Sequence, residues 1–206
     1  EKSQILIYHT HSQEAFADSV PGDVNTGIVG VGEHLTQILR EQYGYAVLHH
    51  TGEYDVETRD NAYSKALPAV EQILTENPSI QVIVDLHRDE VAEGTRLVTD
   101  LQGRPTARFM FFNGLSRTRK TGDIDYLQNE NQEANLAFSF QMQKKAVEFY
   151  PGLTRKIYLK GLRYNLHVRP RALLIEAGAQ TNTFEEAKNA MEPLADVLDA
   201  VLGGKT

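Results

Sequence analysis

Three short apolar runs, each opening onto a cluster of titratable residues, constrain this chain more than any other feature. Gln4–Tyr8 (QILIY) leads into His9-Thr10-His11-Ser12-Gln13-Glu14. Ile80–Leu86 (IQVIVDL) ends in Asp85-Leu86-His87-Arg88-Asp89, and Ala172–Ile175 (ALLI) is followed by Glu176-Ala177-Gly178. Runs of this length, bounded by polar residues and rich in branched side chains, read as buried strands. Tyr45–His49 (YAVLH) reads as a fourth.

Helical periodicity fills the intervals. Val24–Gln42 carries Ile28, Val31, Leu35, Ile38 and Leu39 at helical spacing, with Gly44 as a stop. Arg59–Asn77 carries Ala62, Ala66, Leu67, Val70, Ile73 and Leu74 on one face and is closed by Asn77-Pro78. Asn131–Tyr150 ends at Pro151, and Thr183–Leu202 starts with a capping box, Thr183 with Glu186 three residues on. Thr95–Asp100 and Thr106–Phe112 flank Gln102-Gly103-Arg104-Pro105 and predict a hairpin. Strands alternating with helices imply an α/β fold: a mostly parallel twisted sheet, helices on both faces and an added antiparallel hairpin. With no repeat or linker in 206 residues, the expectation is one catalytic domain over 1–206.

Composition removes several functions. The net charge is −7 and no basic stripe interleaves with aromatics, so nucleic acid is not expected as a partner. There is no cysteine, which excludes a thiol nucleophile and a thiolate zinc site. No apolar run reaches membrane-spanning length. The chain begins at Glu1 rather than Met and reads as a fragment or mature form, so a membrane connection would run through a missing N-terminal anchor.

In α/β sheets ligands bind beyond the carboxyl ends of the strands. Three strands deliver His11, Glu14, His87 and Glu176 to that end. Imidazoles and carboxylates gathered there are what a catalytic zinc requires, with about three protein ligands, one open position and a free carboxylate to take a proton from water. The spacing His11-Ser12-Gln13-Glu14 is an H-x-x-E pattern.

YHTHSQEAF, VIVDLHRDE and ALLIEAGAQTNT, in that order, resemble the stage II sporulation protein P family of cell-wall hydrolases. GVGEHL with EQYGY, PGLTRKIY and RYNLH agree, so the resemblance runs from Ile5 to Ala195. It implies a fold like zinc amidases and carboxypeptidases and a zinc-dependent N-acetylmuramoyl-L-alanine amidase acting on peptidoglycan, with endopeptidase activity on stem-peptide crosslinks also associated. It further implies an extracytoplasmic catalytic region on a membrane-anchored precursor. The implied task is engulfment, beside stage II sporulation proteins D and M.

Roles follow from the two readings together. His11 and His87 are the expected metal ligands and Glu176 the general base, with Gly178 leaving room for substrate. Related amidases place a Glu at the start of the helix after the first strand, where this chain has Asp23-Val24-Asn25. Glu33 lies about two turns on, roughly 12 Å along the axis. Glu14 is therefore preferred as third ligand, ahead of Glu33 or Asp23. His9, two residues from His11, would project to the same side of an extended chain and either orient His11 or substrate or serve structure. Asp85 either holds the second nitrogen of His87 or makes a loop hydrogen bond. Arg88 either polarises the scissile carbonyl or binds a substrate carboxylate, or else pairs with Asp89 or Glu90. Asn165 and His167 are expected to line the cleft, and His34, His49 and His50 to be ordinary helix or loop residues. Two rivals stand beside this reading: a zinc carboxypeptidase-like peptidase, and a non-catalytic wall-binding scaffold.

Overall fold

The computed structural model describes residues 4–203. Its six-stranded sheet uses β1 (Ile5–Tyr8), β2 (Val47–His49), β3 (Val82–Asp89), β6 (Phe109–Gly114), β9 (Tyr158–Lys160) and β10 (Ala172–Ala179). Their order is β2-β1-β3-β10-β6-β9, while β7 (Arg117–Thr118) and β8 (Gly122–Asp123) form a separate antiparallel pair. The pairs β1–β2, β1–β3, β3–β10 and β6–β9 are parallel, while β10–β6 is antiparallel. The sheet is thus mostly parallel, as the alternation of elements predicts.

Side-chain alternation sorts the core into two layers. Ile5, Ile7, Val82, Val84, Leu86, Leu173 and Ile175 face α1 (Ile28–Glu41), α3 (Gln132–Phe149), α4 (Phe184–Asn189) and α5 (Met191–Leu202). Leu6, Tyr8, Ile83, Ala172 and Leu174 face α2 (Ala62–Glu76) on the other side. Among the described residues no helix is long and apolar enough to cross a membrane.

Several boundaries depart from the sequence reading, and α1 begins at Ile28 rather than Val24 and α2 at Ala62 rather than Arg59. The hairpin is shorter: β4 (Val98–Leu101) pairs with β5 (Arg104–Ala107). Gln102 and Gly103 both have positive φ at its turn, the backbone that suits a two-residue connection. Phe109–Gly114 leaves the hairpin and joins the main sheet against β10. The helix expected over Thr183–Leu202 is two, broken at Ala190. Pro193 lacks the N–H that a continuous helix would need there and instead sits in the first turn of α5. The predicted capping box is present at α4.

The last departure shapes the site. Strand β10 runs past Ile175 to Ala179, with Glu176 opposite His87, then Ala179 opposite Asp89. Three steps on β10 match two on β3, a bulge centred near Gly178, whose φ is +66°. A Cβ there would stand 2.8 Å from Asn182 Oδ1, so this glycine serves the bulge rather than making room for substrate.

Candidate metal centre

The carboxyl ends of β1 and β3 bring His11, Glu14 and His87 together. One ligand atom from each lies within 4.8 Å of the others, and this is the one such group of three among the described residues. They are 7%, 2% and 2% exposed. Glu14 sits at the centre: Oε1 lies 3.6 Å from His11 Nδ1 and Oε2 lies 3.5 Å from His87 Nδ1. Donors around a tetrahedral zinc at about 2.0–2.2 Å stand roughly 3.3–3.6 Å apart, so these separations fit the ion. His11 Nδ1 is buried with no hydrogen-bond partner, an orphan that a metal would satisfy.

Each ligand is held from behind. The loop after β1 turns so that Glu14 O receives the N–H of Ile28 at the start of α1. Gly27 permits that approach, since a Cβ on it would lie 2.6 Å from Glu14 O. Asp55 receives Ser12 Oγ and the Gln13 N–H. Arg88 donates its backbone N–H to Glu14 Oε2 at 2.8 Å, and Arg59 Nη2 reaches Glu14 Oε1 at 2.7 Å. Asp85 Oδ1 lies 2.8 Å from His87 Nε2 while its carboxylate accepts the N–H and hydroxyl of Thr10.

Electrostatics agree with a cation here. Burial opposes charge on Glu14, yet His87, Arg88 and its N–H hold the carboxyl down at about 2. Burial, aided by His87, lowers His11 to about 4, leaving it neutral as a ligand must be. Burial disfavours a charged His87, but Asp85 and Glu14 together raise it well above its usual value. Two buried carboxylates flank that ring and call for positive charge. Glu176 lies opposite His87 on β10, with Oε2 buried and unpartnered. Burial pushes it up to about 7 against the pull of His87, with Glu14, Asp89 and Asp85 adding to the rise.

The sequence model of stage II sporulation protein P matches residues 1–199. The chain belongs to the stage II sporulation protein P family. It is 27% identical over 218 residues to stage II sporulation protein P of Bacillus subtilis (strain 168), covering 96% of this chain and 50% of that one. It therefore spans about half the length of that curated relative. Among solved structures, the CwlD amidase from Clostridioides difficile in complex with the GerS lipoprotein aligns with TM-score 0.57 at 13% identity, covering 98% and 99% of the two chains. N-acetylmuramoyl-L-alanine amidase AmiC2 of Nostoc punctiforme gives 0.56 at 13% identity, with 98% of each covered. A metallo-carboxypeptidase from Burkholderia cenocepacia gives 0.50 at 10%, covering 98% of this chain and 57% of that one. At these identities the likeness is one of fold.

The remaining sequence-derived positions divide sharply. Glu33 is bonded to His49, and Asp23 caps the 3-10 turn Val24–Thr26; neither is in the group with His11 and His87. The chain after Tyr8 turns rather than extends, so His9 and His11 do not share a side. His9 packs toward α1 and His49, whereas His11 lies against Tyr63 of α2. Arg88 spends its guanidinium on the carbonyls of Ala15 and Asp89, and Asp89 pairs with Arg155. Asn165 fastens Tyr63 by its carbonyl rather than facing a cleft. His167 lines a cavity with Leu74 and Pro78, ahead of the start of β10 and so at the opposite end of the sheet.

Two residues escaped the sequence reading. Arg59 lies at the mouth beside Glu14, its side chain half-exposed. Tyr63 presents its ring edge to His11, centroids 5.4 Å apart, and lies parallel to His87. Arg59 lies in the bend that leads into α2 and Tyr63 in its first turn, and nothing local ties that segment to β1 and β3.

Proposed function

We propose that this chain is a zinc-dependent peptidoglycan hydrolase that cleaves the amide between N-acetylmuramic acid and L-alanine. The observation carrying the reading is the His11–Glu14–His87 group with the unpartnered Glu176 carboxylate beside it. His11 and His87, through Nδ1, and Glu14 would hold the ion. Zinc, when bound, supplies Lewis acidity that polarises an amide carbonyl and acidifies water.

The chain's own residues do the rest. Glu176 takes the proton of the attacking water and returns it to the departing nitrogen. A base poised near neutrality suits both transfers, and its burial provides that tuning, with a bound cation drawing it lower. Arg59 offers its remaining N–H donors to the developing negative charge or to a substrate carboxylate. Asp85 orients His87 from its Nε2 side, and Tyr63 walls the group off from solvent. The reading extends, by family, to work outside the cytoplasm on an anchored longer protein. Stage II sporulation proteins D and M are the partners it would have during engulfment.

Purified sacculi test it. Digestion should release stem peptides with a new L-alanine amino terminus, stop with chelator and resume with zinc. No zinc in the purified protein and no response to chelator would favour the wall-binding scaffold. New termini only within crosslinks would favour the peptidase reading, for which the H-x-x-E spacing and the rim cation Arg59 speak.

A further inference from the structure

A second buried imidazole network, outside the metal group, lies on the α1 face of the sheet. His9 is completely buried. Its Nδ1 lies 2.8 Å from Leu86 O, its Nε2 lies 2.9 Å from His49 Nε2, and His49 Nδ1 lies 2.9 Å from Glu33 Oε2. Proton accounting fixes the roles. Leu86 O only accepts, so His9 donates from Nδ1. A neutral His9 then accepts at Nε2, so His49 donates from its Nε2. With Glu33 a carboxylate, the line closes when His49 also carries a proton on Nδ1, an imidazolium that burial opposes and Glu33 favours.

The main-chain ladder between β1 and β3 ends at Tyr8 opposite Asp85. Past it, side chains take over in both directions. Asp85 of β3 receives the N–H and hydroxyl of Thr10, while His9 of the β1 side donates to Leu86 O of β3. Thr10 adjoins His11 and Leu86 adjoins His87. The α1 helix is shaped for this: a Cβ on Gly32 would lie 2.5 Å from His9 Nε2 and 2.9 Å from His49 Nε2.

We infer that His9, braced by His49 and Glu33, is a positioning residue that clamps Leu86 and thereby sets the separation of His11 and His87 for the ion. This rests on the metal-site reading above. The brace touches neither the ligands nor the reacting atoms; it acts through the backbone beside them.

Three variants test it by zinc affinity, measured by competition with a chromogenic chelator on protein whose fold is checked by circular dichroism. An Asn side chain can place an amide N–H where His9 Nδ1 stands, whereas Gln reaches instead to the Nε2 position. His9→Asn should stay within about threefold of the parent, and His9→Gln should weaken zinc by about 10–100-fold, the usual cost of losing an outer partner. Gly32→Ala favours the helix itself but wedges the ring pair, and should weaken zinc by about as much. Equal affinities for His9→Asn and His9→Gln, or an unchanged Gly32→Ala, overturn the brace; if the His9 variants do not fold, Gly32→Ala decides alone. A parent that binds no zinc sinks the metal reading and the brace together. A parent that binds tightly with a flat series sinks the brace only.

Discussion

Two clusters of imidazole and carboxylate sit back to back across β1 and β3, the first with its carboxylate, Glu33, at the surface. On the α1 face, His9, His49 and Glu33 form a closed line of hydrogen bonds ending on the Leu86 carbonyl. On the α2 face, His11, His87 and Glu14 converge with Glu176 opposite His87, and His11 Nδ1, His87 Nε2 and Glu176 Oε2 make no hydrogen bond. Residue types are nearly the same on both faces, so composition does not separate them. What separates them is satisfaction. A buried polar group without a partner costs free energy, and a fold keeps such atoms where something else is to meet them. On the readings proposed above, the first cluster braces and the second would take up a cation and a substrate.

The contrast can be broken most directly at Glu176. Glu176→Gln should keep zinc and the fold but lower turnover on sacculi by about 10²–10⁴-fold; full activity would remove the base from the second cluster. Acid titration probes the first. Burial, aided by His49, depresses His9 from 6.5 to about 3. The folded chain then binds fewer protons than the unfolded one within that window. Stability contributed by the neutral ring is complete above about pH 6.5 and falls toward pH 3, by up to about 1.4 kcal/mol per pH unit. In His9→Asn the urea-unfolding free energy should be flatter over this range, and an unaltered slope would contradict it. Gly178→Ala should cost about 1–3 kcal/mol in the same measurement, since the new methyl meets Asn182 Oδ1, the acceptor of the Ala179 N–H. Arg59→Gln should act least, raising KM for sacculi about 2–5-fold with the fold intact, because a half-exposed ion pair is weak. A change confined to kcat would place it on the transition state alone.

Much of this was legible from local pattern. The buried strands β1, β3 and β10 announce themselves by continuous apolar runs, and His11, Glu14, His87 and Glu176 follow them directly. Pairing across the sheet was not legible. Tyr158–Lys160 is three exposed residues and becomes a strand only because β6 lies beside it. Glu176–Ala179 looks like loop because the bulge at Gly178 interrupts the alternation. Tyr63 in the first turn of α2 and Arg59 in the bend before it reach the metal group only through tertiary packing, which leaves no trace in their own neighbourhood. His49 and Glu33 carry no signal until β2 and α1 are placed beside His9, where the missing side chain of Gly32 is the single hint.

The strand that carries Glu176 is the last of the six in the chain, yet it is inserted between β3 and β6 near the middle of the sheet. Glu176 therefore reaches the His11–Glu14–His87 group only through pairing of segments far apart in the sequence. Long-range pairing of this kind closes late. On the function proposed above, a chain whose β10 has not yet joined the sheet lacks its proton acceptor, so cleavage would wait on the completed fold.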